Sequence, residues 1–365
     1  MKTAVVYDWI DKWGGVERVL LTMAKMFPRA DFYTSYYDPE TASWAKNLNI
    51  KTSFIQKLPN FIKKNRILSL PFYPYAFESF NFSDYELVIS VSSSFAKSVI
   101  TKPHTLHLCY LLTPTRYFWL DTETYLNSPL KQLGKIRLKK YQDWDYVAAQ
   151  RPDRIISISK TVQERTKKFY KRASEVVYPP FDVEYWEKIN HKMPAAGQKA
   201  SKFFLVVSRL EPYKKVDLVI NVFNKLKEKL IIVGKGTQMS KLRKLAGHNI
   251  EFFSDLSDGE LAKLYMSACA LIMPQEEEFG YVSLEAQLLG CPVIAFGKGG
   301  ATETVQDGKT GIFFDHQTVK ALTGAVARFA KIEYNLKKSA IEYGKISVER
   351  FSLTRFENMF KAFVS

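Results

Sequence analysis

Residues 203–233, FFLVVSRLEPYKKVDLVINVFNKLKEKLIIV, contain one complete strand–helix–strand unit. The apolar run at 203–207 predicts a buried strand, the amphipathic stretch 216–228 predicts a helix, and KLIIV at 229–233 predicts a second strand. Repeated alternation of this kind implies parallel sheets that are covered by helices on both faces. The stretch therefore predicts an α/β fold.

The same alternation continues on both sides of this unit. Strands are predicted at 3–7, 86–91, 106–111, 154–158, 250–253, 270–273 and 292–295, and helices at 16–27, 130–149, 238–246, 258–268, 283–289 and 317–331. Residues 178–201 contain three prolines and end in small and polar residues, which predicts a linker. We therefore predict two Rossmann-like domains that face each other, with ligands bound in the cleft at the carboxyl ends of their strands.

Composition narrows the class of protein. The chain has 365 residues, of which 46% are hydrophobic and 25% charged, as expected of a soluble globular protein with two cores. It contains no apolar run of 18 residues, and MKTAVVYDW at the start predicts a strand rather than a signal peptide. The three cysteines, Cys109, Cys269 and Cys291, show no metal-binding spacing, which favours free thiols in a reducing cytoplasm.

The formal net charge of +16 indicates a partner with negative charge, although simple solubility is an alternative explanation. Nucleic acid is not favoured, because the chain shows no RNP, KH or helix-turn-helix pattern. Residues 51–80 carry five basic residues against one acidic residue, interleaved with aromatic and aliphatic ones. This mixture suits the edge of an anionic membrane, but aromatic residues in the core beside solvated cations are an equally simple reading.

Three loops after predicted strands carry candidate binding residues. In DWIDKWGGVERVL, Gly14 and Gly15 precede a helix predicted from Val16, where backbone N–H groups could meet an anion or simply form a turn. In SRLEPYKKVDL, Arg209 and Lys214 suit a diphosphate, and a solvated basic loop is the alternative.

The third loop is EEEFGYVSLE, residues 276–285. Its carboxylates and the N–H groups of Phe279, Gly280 and Tyr281 suit a polyhydroxylated ligand, because carboxylates accept hydroxyl protons while N–H groups donate. Glu285 is also explained by a favourable position in the first turn of a helix predicted from about residue 282. The glycines of GKGGATETV, residues 297–305, and DGKTG, residues 307–311, predict tight turns near this loop.

These motifs together carry a family likeness. RLEPYK, IIVGKG, EEEFGYVSLEA, GCPVIAFGKGGATETV and DGKTGIFF, in this order, strongly resemble the retaining glycosyltransferases of family 4, which have the GT-B fold. The likeness is tightest over about 203–315 and extends to the first half through GGVERVL, TPTRYFW and VVYPPFD. The chain is most similar to mannosyltransferases of surface-polysaccharide assembly.

The resemblance implies an acceptor-binding domain at 1–185 and a nucleotide-sugar-binding domain at 200–344, with a final helix at 345–365 that packs back on the first domain. It implies no metal and no cofactor besides the donor substrate, for which GDP-mannose is favoured. The acceptor is expected to be a saccharide or a lipid-linked saccharide, met in the cytoplasm or at the inner face of the cell membrane.

The resemblance also implies roles for single residues. Only Glu277 and Glu285 match the family's pair of glutamates separated by seven residues. Glu277 is expected to contact hydroxyls of the transferred sugar, and Glu285 the ribose. Arg209 and Lys214 match the diphosphate-binding pair, Gly14 and Gly15 match the glycine loop, and the N–H groups of Phe279, Gly280 and Tyr281 are expected to hold sugar and phosphates.

One position departs from the family pattern. Where the family usually has a histidine before TPxRY, this chain has Leu112, and His107 lies on the other face of the predicted strand. Members of the resembling family lack an obvious carboxylate nucleophile, so the resemblance favours a front-face attack over a double displacement. Two alternatives remain open: a transferase that uses a UDP-sugar, and a nucleotide-sugar-binding or scaffold protein with weakened catalysis.

Overall fold

The computed structural model describes residues 1–120, 122, 131–191 and 202–364. Within them the chain forms two compact units, one made of Met1–Pro180 with Phe356–Ser365 and the other of Phe181–Arg355. We call them unit 1 and unit 2. Each unit contains one parallel sheet, so the predicted α/β class with two Rossmann-like domains is confirmed.

Unit 1 is built on a seven-stranded sheet in the order β3-β2-β1-β4-β5-β6-β7, with all neighbours parallel. Its strands are β1 Thr3–Tyr7, β2 Asp31–Thr34, β3 Asn49–Thr52, β4 Leu87–Ser92, β5 Leu106–Leu111, β6 Arg154–Ser157 and β7 Glu175–Val176. The central strands β1 and β4 are buried along their whole length, because helices cover both faces of the sheet.

Unit 2 has a six-stranded parallel sheet in the order β10-β9-β8-β11-β12-β13. Its strands are β8 Phe204–Val207, β9 Leu230–Val233, β10 Ile250–Phe253, β11 Leu271–Met273, β12 Val293–Phe296 and β13 Gly311–Phe314. One apolar cluster joins this sheet to its covering helices, with Phe223 and Phe329 both packed against Phe204.

Helices connect the strands in both units. In unit 1 they are α1 Gly15–Met26, α2 Asn60–Lys63, α3 Tyr73–Glu78, α4 Arg116–Trp119, α5 Lys131–Ala148 and α6 Lys160–Tyr170. The next ones are α7 Val183–His191, α8 Val216–Leu226, α9 Met239–Leu245, α10 Asp258–Ser267, α11 Tyr281–Leu288, α12 Ala301–Thr304, α13 Val319–Glu349 and α14 Leu353–Lys361.

The strand order reverses once in each sheet. In unit 1 the reversal lies between β1 and β4, and in unit 2 it lies between β8 and β11. The connections that follow the two strands at the reversal run in opposite directions. They leave a crevice at the carboxyl ends of these strands, where ligands bind in folds of this kind. The loop with Arg209 and Lys214 follows β8, the loop with Glu277 follows β11, and Gly14 and Gly15 follow β1.

The predictions for two segments, 345–365 and 178–201, were wrong. The final helix expected at 345–365 is two helices, because α13 continues from Val319 through Glu349 and a short break precedes α14. Only the second of them belongs to unit 1, where Phe356 and Phe360 pack their rings on Tyr110. The linker expected at 178–201 contains α7, and its remaining residues 192–201 lie outside the described residues.

Helix α11 begins at Tyr281, two residues before the predicted start at 283 and one before the start near 282 that would place Glu285 in its first turn. Glu285 is therefore its fifth residue, and no acidic residue occupies the first turn of this helix, which is described throughout. The alternative explanation of Glu285 through the helix dipole was wrong, since that effect falls off within the first turn.

Candidate functional site

The central feature of the site is an ion pair between two loops at the strand-order reversal of unit 2. A short 3₁₀ turn, Pro212–Lys214, follows β8 and turns the Lys214 side chain inward, where it is buried. Its Nζ atom lies 2.5 Å from Oε1 of Glu277, which sits in the loop after β11. Because β8 and β11 are adjacent parallel strands, the structure brings together two residues that are 63 positions apart.

Gln275 completes the surroundings of Glu277 and was missed by the sequence analysis. Its Nε2 group donates a 2.6 Å hydrogen bond to the same Oε1 atom that accepts from Lys214. Its own Oε1 atom is buried and has no hydrogen-bond partner among the described residues. The available signal was the spacing of two residues from Glu277, which places both side chains on one side of an extended segment.

Arg209 lies on the same loop as Lys214 but in a different setting. Its side chain is exposed, and its Nη2 atom donates to the hydroxyl of Tyr213 at 2.8 Å. The ring centroid of Tyr213 lies 5.2 Å from Nζ of Lys214. Tyr213, a second residue that was missed, therefore contacts both cations and sets the spacing between them.

The basic loop is held by the loop that follows β9. Leu210 donates its N–H to the carbonyl of Lys235, and Glu211 accepts hydrogen bonds from the N–H and hydroxyl of Thr237. The chain passes so close at Gly234 that a Cβ atom there would lie 1.9 Å from the carbonyl oxygen of Ser208. The IIVGKG motif thus holds the loop that carries the candidate diphosphate-binding residues.

The acidic loop is held in the same way by the predicted glycine turn at 297–300. Gly300 donates its N–H to the carbonyl of Glu277 at 2.7 Å, and a Cβ atom on Gly300 would lie 2.5 Å from Cα of Phe279. Phe279 is buried against the rings of Tyr281 and Phe351. These contacts fix the backbone from which the candidate N–H donors project.

Gly280 and Tyr281 form the amino end of α11. Gly280 is its N-cap with φ of +97°, a left-handed conformation that favours glycine. The first N–H groups of a helix have no acceptor within it and carry partial positive charge, so this end of α11 suits an anionic or hydroxylated ligand. The predicted donors at 279–281 are therefore at a helix start, as their proposed role requires.

Glu285 is buried inside α11 and is the second glutamate of the spaced pair. Its Oε2 atom accepts a 3.0 Å hydrogen bond from the hydroxyl of Tyr265, which is buried on α10. Tyr265 is a third residue that sequence reasoning missed. Its distance of 20 positions from Glu285 leaves no local pattern that could reveal the contact.

In unit 1, the predicted glycine loop leads directly into α1, which begins at Gly15 instead of the predicted Val16. Gly14 is its N-cap, and its backbone is extended, a conformation that any residue adopts. The benefit of glycine here is space, since a Cβ atom would lie 3.1 Å from Oε2 of the buried Glu17.

Leu112, at the position where the resembling family has histidine, follows β5 and is buried. His107 does not replace that histidine. It is fully buried within β5, and its Nε2 atom is 2.8 Å from the hydroxyl of Ser90 on β4. Burial, with a smaller contribution from the positive charge of Arg151, lowers the pKa of His107 to about 3, so the ring is neutral at pH 7.

The cysteines are buried free thiols in the described chain, and burial raises the pKa of Cys109 and Cys269 to about 11 and that of Cys291 to about 12. Over residues 1–120, 131–191 and 202–364, no group of three or more His, Cys, Asp or Glu side chains is arranged to hold a metal ion. No helix in the described part of the chain has the length and apolarity needed to span a membrane.

Comparison with known proteins gives two family matches. Residues 13–185 match the model described as Glycosyltransferase Family 4, and residues 189–347 match the model described as Glycosyl transferases group 1. The two matches lie on either side of residue 187 and correspond closely to the two units.

Curated relatives are similar at modest identity. An uncharacterized glycosyltransferase of Methanocaldococcus jannaschii is 29% identical over 46% of this chain and 48% of its own length. A GDP-mannose-dependent alpha-(1-6)-phosphatidylinositol monomannoside mannosyltransferase of Mycobacterium tuberculosis is 34% identical over 33% of this chain and 36% of its own. An alpha-1,3/1,6-mannosyltransferase of Dictyostelium discoideum is 22% identical over 94% of this chain and 93% of its own.

Solved structures share the fold along the whole chain. The Anabaena protein HepE, in a complex with UDP-glucose, aligns with a TM-score of 0.73 at 18% identity, covering 100% of this chain and 99% of its own. The sucrose-phosphate synthase of Thermosynechococcus elongatus aligns with a TM-score of 0.76 at 16% identity, covering 100% of this chain and 98% of its own.

Proposed function

The chain belongs to family 4 of the glycosyltransferases, with the GT-B fold, and from this premise we propose that it is a retaining mannosyltransferase that uses GDP-mannose. The observation that carries the proposal is the buried contact between Lys214 and Glu277 at the strand-order reversal of unit 2. It places a cation for a diphosphate beside a carboxylate for sugar hydroxyls, and a nucleotide sugar presents these two groups next to each other.

Each candidate residue then has a defined contact with the donor. Lys214 and Arg209 bind the diphosphate, and an ammonium has three donors, so its bond to Glu277 is compatible with bonds to phosphate oxygens. Glu277 accepts from hydroxyls of the transferred sugar, and Glu285 accepts from the ribose hydroxyls. The amino end of α11 at Gly280 and Tyr281 donates to the sugar and phosphates, and the glycine loop at Gly14 and Gly15 is proposed to take part in donor binding.

The proposed reaction is a front-face displacement. The acceptor hydroxyl oxygen forms the new bond to the anomeric carbon on the side from which the diphosphate leaves, while the bond between that carbon and the phosphate oxygen breaks. The acceptor proton passes to the leaving phosphate oxygen, so that GDP is released and the configuration is retained. Arg209 and Lys214 stabilise the negative charge that develops on the leaving group.

The names of two relatives support mannose as the transferred sugar, since both are described as mannosyltransferases and one as GDP-mannose-dependent. A UDP-sugar is the second candidate donor, because the HepE structure that shares the fold contains UDP-glucose. Calorimetric titration with GDP-mannose, UDP-glucose, UDP-N-acetylglucosamine and ADP-glucose separates the two. We expect the tightest binding and the release of nucleotide with GDP-mannose.

Preferred binding of a UDP-sugar would replace the donor assignment and leave the site assignment in place. Failure of all four donors to bind would overturn the proposed function. A matched control is Lys309→Ala, since Lys309 is a cation of unit 2 on the 307–311 turn and lies over the ring of Tyr343. It is expected to bind the donor like the original chain.

The acceptor is proposed to be a saccharide carried on a lipid, met at an anionic membrane surface. Residues 51–80 divide between two roles: Tyr73 and Phe77 lie in the core of unit 1, whereas Phe61, Ile67 and Tyr75 are 69%, 74% and 68% exposed. Exposed apolar side chains among Lys57, Lys63 and Lys64 suit an interface of lipid tails and anionic head groups.

Sedimentation with vesicles of phosphatidylglycerol and phosphatidylcholine tests this membrane contact. We expect the chain to bind at low salt and the variant Phe61→Ser/Ile67→Ser to bind more weakly. The matched control is Ile341→Ser, which removes a 72% exposed isoleucine from unit 2. Absence of binding at low salt, or equal losses in both variants, would contradict the membrane proposal.

A further inference from the structure

Trp13 is exposed beside the predicted glycine loop of unit 1. It ends the loop that follows β1 and directly precedes Gly14, the N-cap of α1, and 53% of its surface is exposed. Large aromatic side chains are usually mostly buried, because exposing them forfeits the free energy of removing apolar surface from water. An exposed indole beside a ligand-binding loop therefore needs an explanation.

The loop that carries Trp13 is held in place by side chains. Trp44 donates its Nε1–H to the carbonyl of Lys12 at 2.8 Å, and its ring meets the Trp13 ring edge-on with centroids 6.2 Å apart. Asp11 forms a 2.5 Å ion pair with Arg66. Trp13 is thus positioned before a ligand arrives, which lowers the entropic cost of binding.

A second observation comes from Asp11 itself. Its Oδ2 atom is occupied by Arg66, whereas its Oδ1 atom is buried and has no hydrogen-bond partner among the described residues. A buried acceptor without a donor is unfavourable, and a small shift of the Asp11 side chain toward a ligand hydroxyl would satisfy it. An aromatic face and an unsatisfied carboxylate oxygen, two residues apart, are the two groups that a pyranose ring uses: C–H bonds on its face and hydroxyls at its edge.

We propose that Trp13 is the stacking platform for the acceptor saccharide, with Asp11 as the acceptor of one of its hydroxyl protons. This inference rests on the proposed function, since it assigns the second substrate of the same reaction. Arg66 supports the assignment, because it belongs to the proposed membrane-contacting segment and its guanidinium lies 3.6 Å from the ring centroid of Trp9.

The test uses the purified full chain and the methyl α-glycosides of mannose, glucose, galactose and N-acetylglucosamine as acceptor probes. Release of the donor nucleotide is measured against glycoside concentration for the original chain, Trp13→Ala and Trp13→Phe. We expect Trp13→Ala to raise the acceptor KM about tenfold, the size of one aromatic contact, with a much smaller change in kcat. Trp13→Phe is expected to recover most of the loss because it retains an aromatic face.

Tyr334→Ala is the matched control, since Tyr334 is an 81% exposed aromatic residue in unit 2. An unchanged acceptor KM in Trp13→Ala would overturn the inference. A loss of donor affinity in Trp13→Ala, measured by calorimetry without glycoside, would also overturn it, because Trp13 would then stack on the nucleobase.

Tryptophan fluorescence separates this inference from the proposed function. If no nucleotide sugar binds, the proposed function fails, but titration of the original chain with the four glycosides still reports on stacking. We expect one of them to change the fluorescence of the original chain and to leave that of Trp13→Phe unchanged. No change with any glycoside, together with no glycoside-dependent nucleotide release, would overturn the inference.

Discussion

Lys214, which is buried, and Glu277, which is partly buried, form an ion pair with 2.5 Å between Nζ and Oε1, and the two residues have different proposed targets on the donor. The pair links the group that is proposed to contact the diphosphate to the group that is proposed to contact the sugar. Substitution of either residue is expected to lower stability, because removing one partner leaves the other as an uncompensated charge that is at least partly buried.

Replacing Lys214 by Ala is expected to lower both turnover and stability. Turnover should fall by about 10²–10³ because a preorganised contact to the leaving group is lost. The free energy of unfolding should fall by about 1–3 kcal/mol because Glu277, which is partly buried, stays without its cation. Initial rates and urea denaturation measure the two effects. The double variant Lys214→Met/Glu277→Gln should regain stability without activity, and recovery of turnover in it would contradict the assignment.

Arg209→Ala separates catalysis from stability. Its side chain is exposed and bonds to Tyr213, so the melting temperature should change little while turnover falls by about 10²–10³. Tyr213→Phe is the control, since it removes only the hydroxyl that accepts from Arg209 and should cost less than Arg209→Ala. Near-normal turnover in both Arg209→Ala and Lys214→Ala would refute the diphosphate assignment.

Gly300→Ala tests whether the glycine turn supports the acidic loop. The added Cβ would lie 2.5 Å from Cα of Phe279, so the backbone from Glu277 to Phe279 must move, and we expect lower turnover together with a lower melting temperature. Gly324→Ala is the control, because no atom lies within 4 Å of its added Cβ and it sits inside α13. It should stabilise the chain by about 0.5–1 kcal/mol. Equal behaviour of the two variants would rule out the proposed support.

The buried His107 makes stability depend on pH. Its pKa is about 3 in the folded chain and about 6.5 when unfolded, so below pH 6.5 the unfolded chain binds a proton that the folded chain does not. The free energy of unfolding should therefore decrease as pH falls from 6.5 toward 3, by at most about 1.4 kcal/mol per pH unit from this residue.

Urea denaturation at pH 7 and pH 5 measures this dependence. His107→Gln should reduce the loss of stability between the two values, whereas His248→Gln, which changes an exposed histidine, should keep it. An identical pH dependence in His107→Gln and the original chain would show that His107 is not the cause.

The strongest predictions from sequence concern the buried strands. The continuous apolar runs TAVVY and LHLCYL gave strands with the bounds that the structure shows, because a strand buried on both faces needs such a run. The strands β2 and β3, DFYT and NIKT, were missed because they are short and partly polar. Helix α7 was missed because it directly follows the two prolines of Tyr178–Pro180, and the segment was predicted to be a linker.

The residues of the candidate site also fall into those that the sequence predicted and those that only the fold revealed. The family resemblance selected Glu277 and Glu285 by their spacing and matched Arg209 and Lys214 to a diphosphate-binding pair, because short local motifs carry these residues. Gln275, Tyr213 and Tyr265 emerged only from the fold, since their contacts depend on how the loops and helices pack. Local sequence therefore indicates candidate ligand-binding residues, and tertiary structure indicates which residues hold those candidates in place.

The return of α14 to unit 1 has a consequence for biosynthesis. Phe356 and Phe360 pack on Tyr110, so part of the core of unit 1 is supplied by residues that a ribosome makes only after all of unit 2. While unit 2 is being translated, the faces of Tyr110 and its neighbours lack these partners. Unit 1 therefore cannot complete its core until α14 has been synthesised. A nascent chain at that stage presents an apolar surface that a chaperone can recognise.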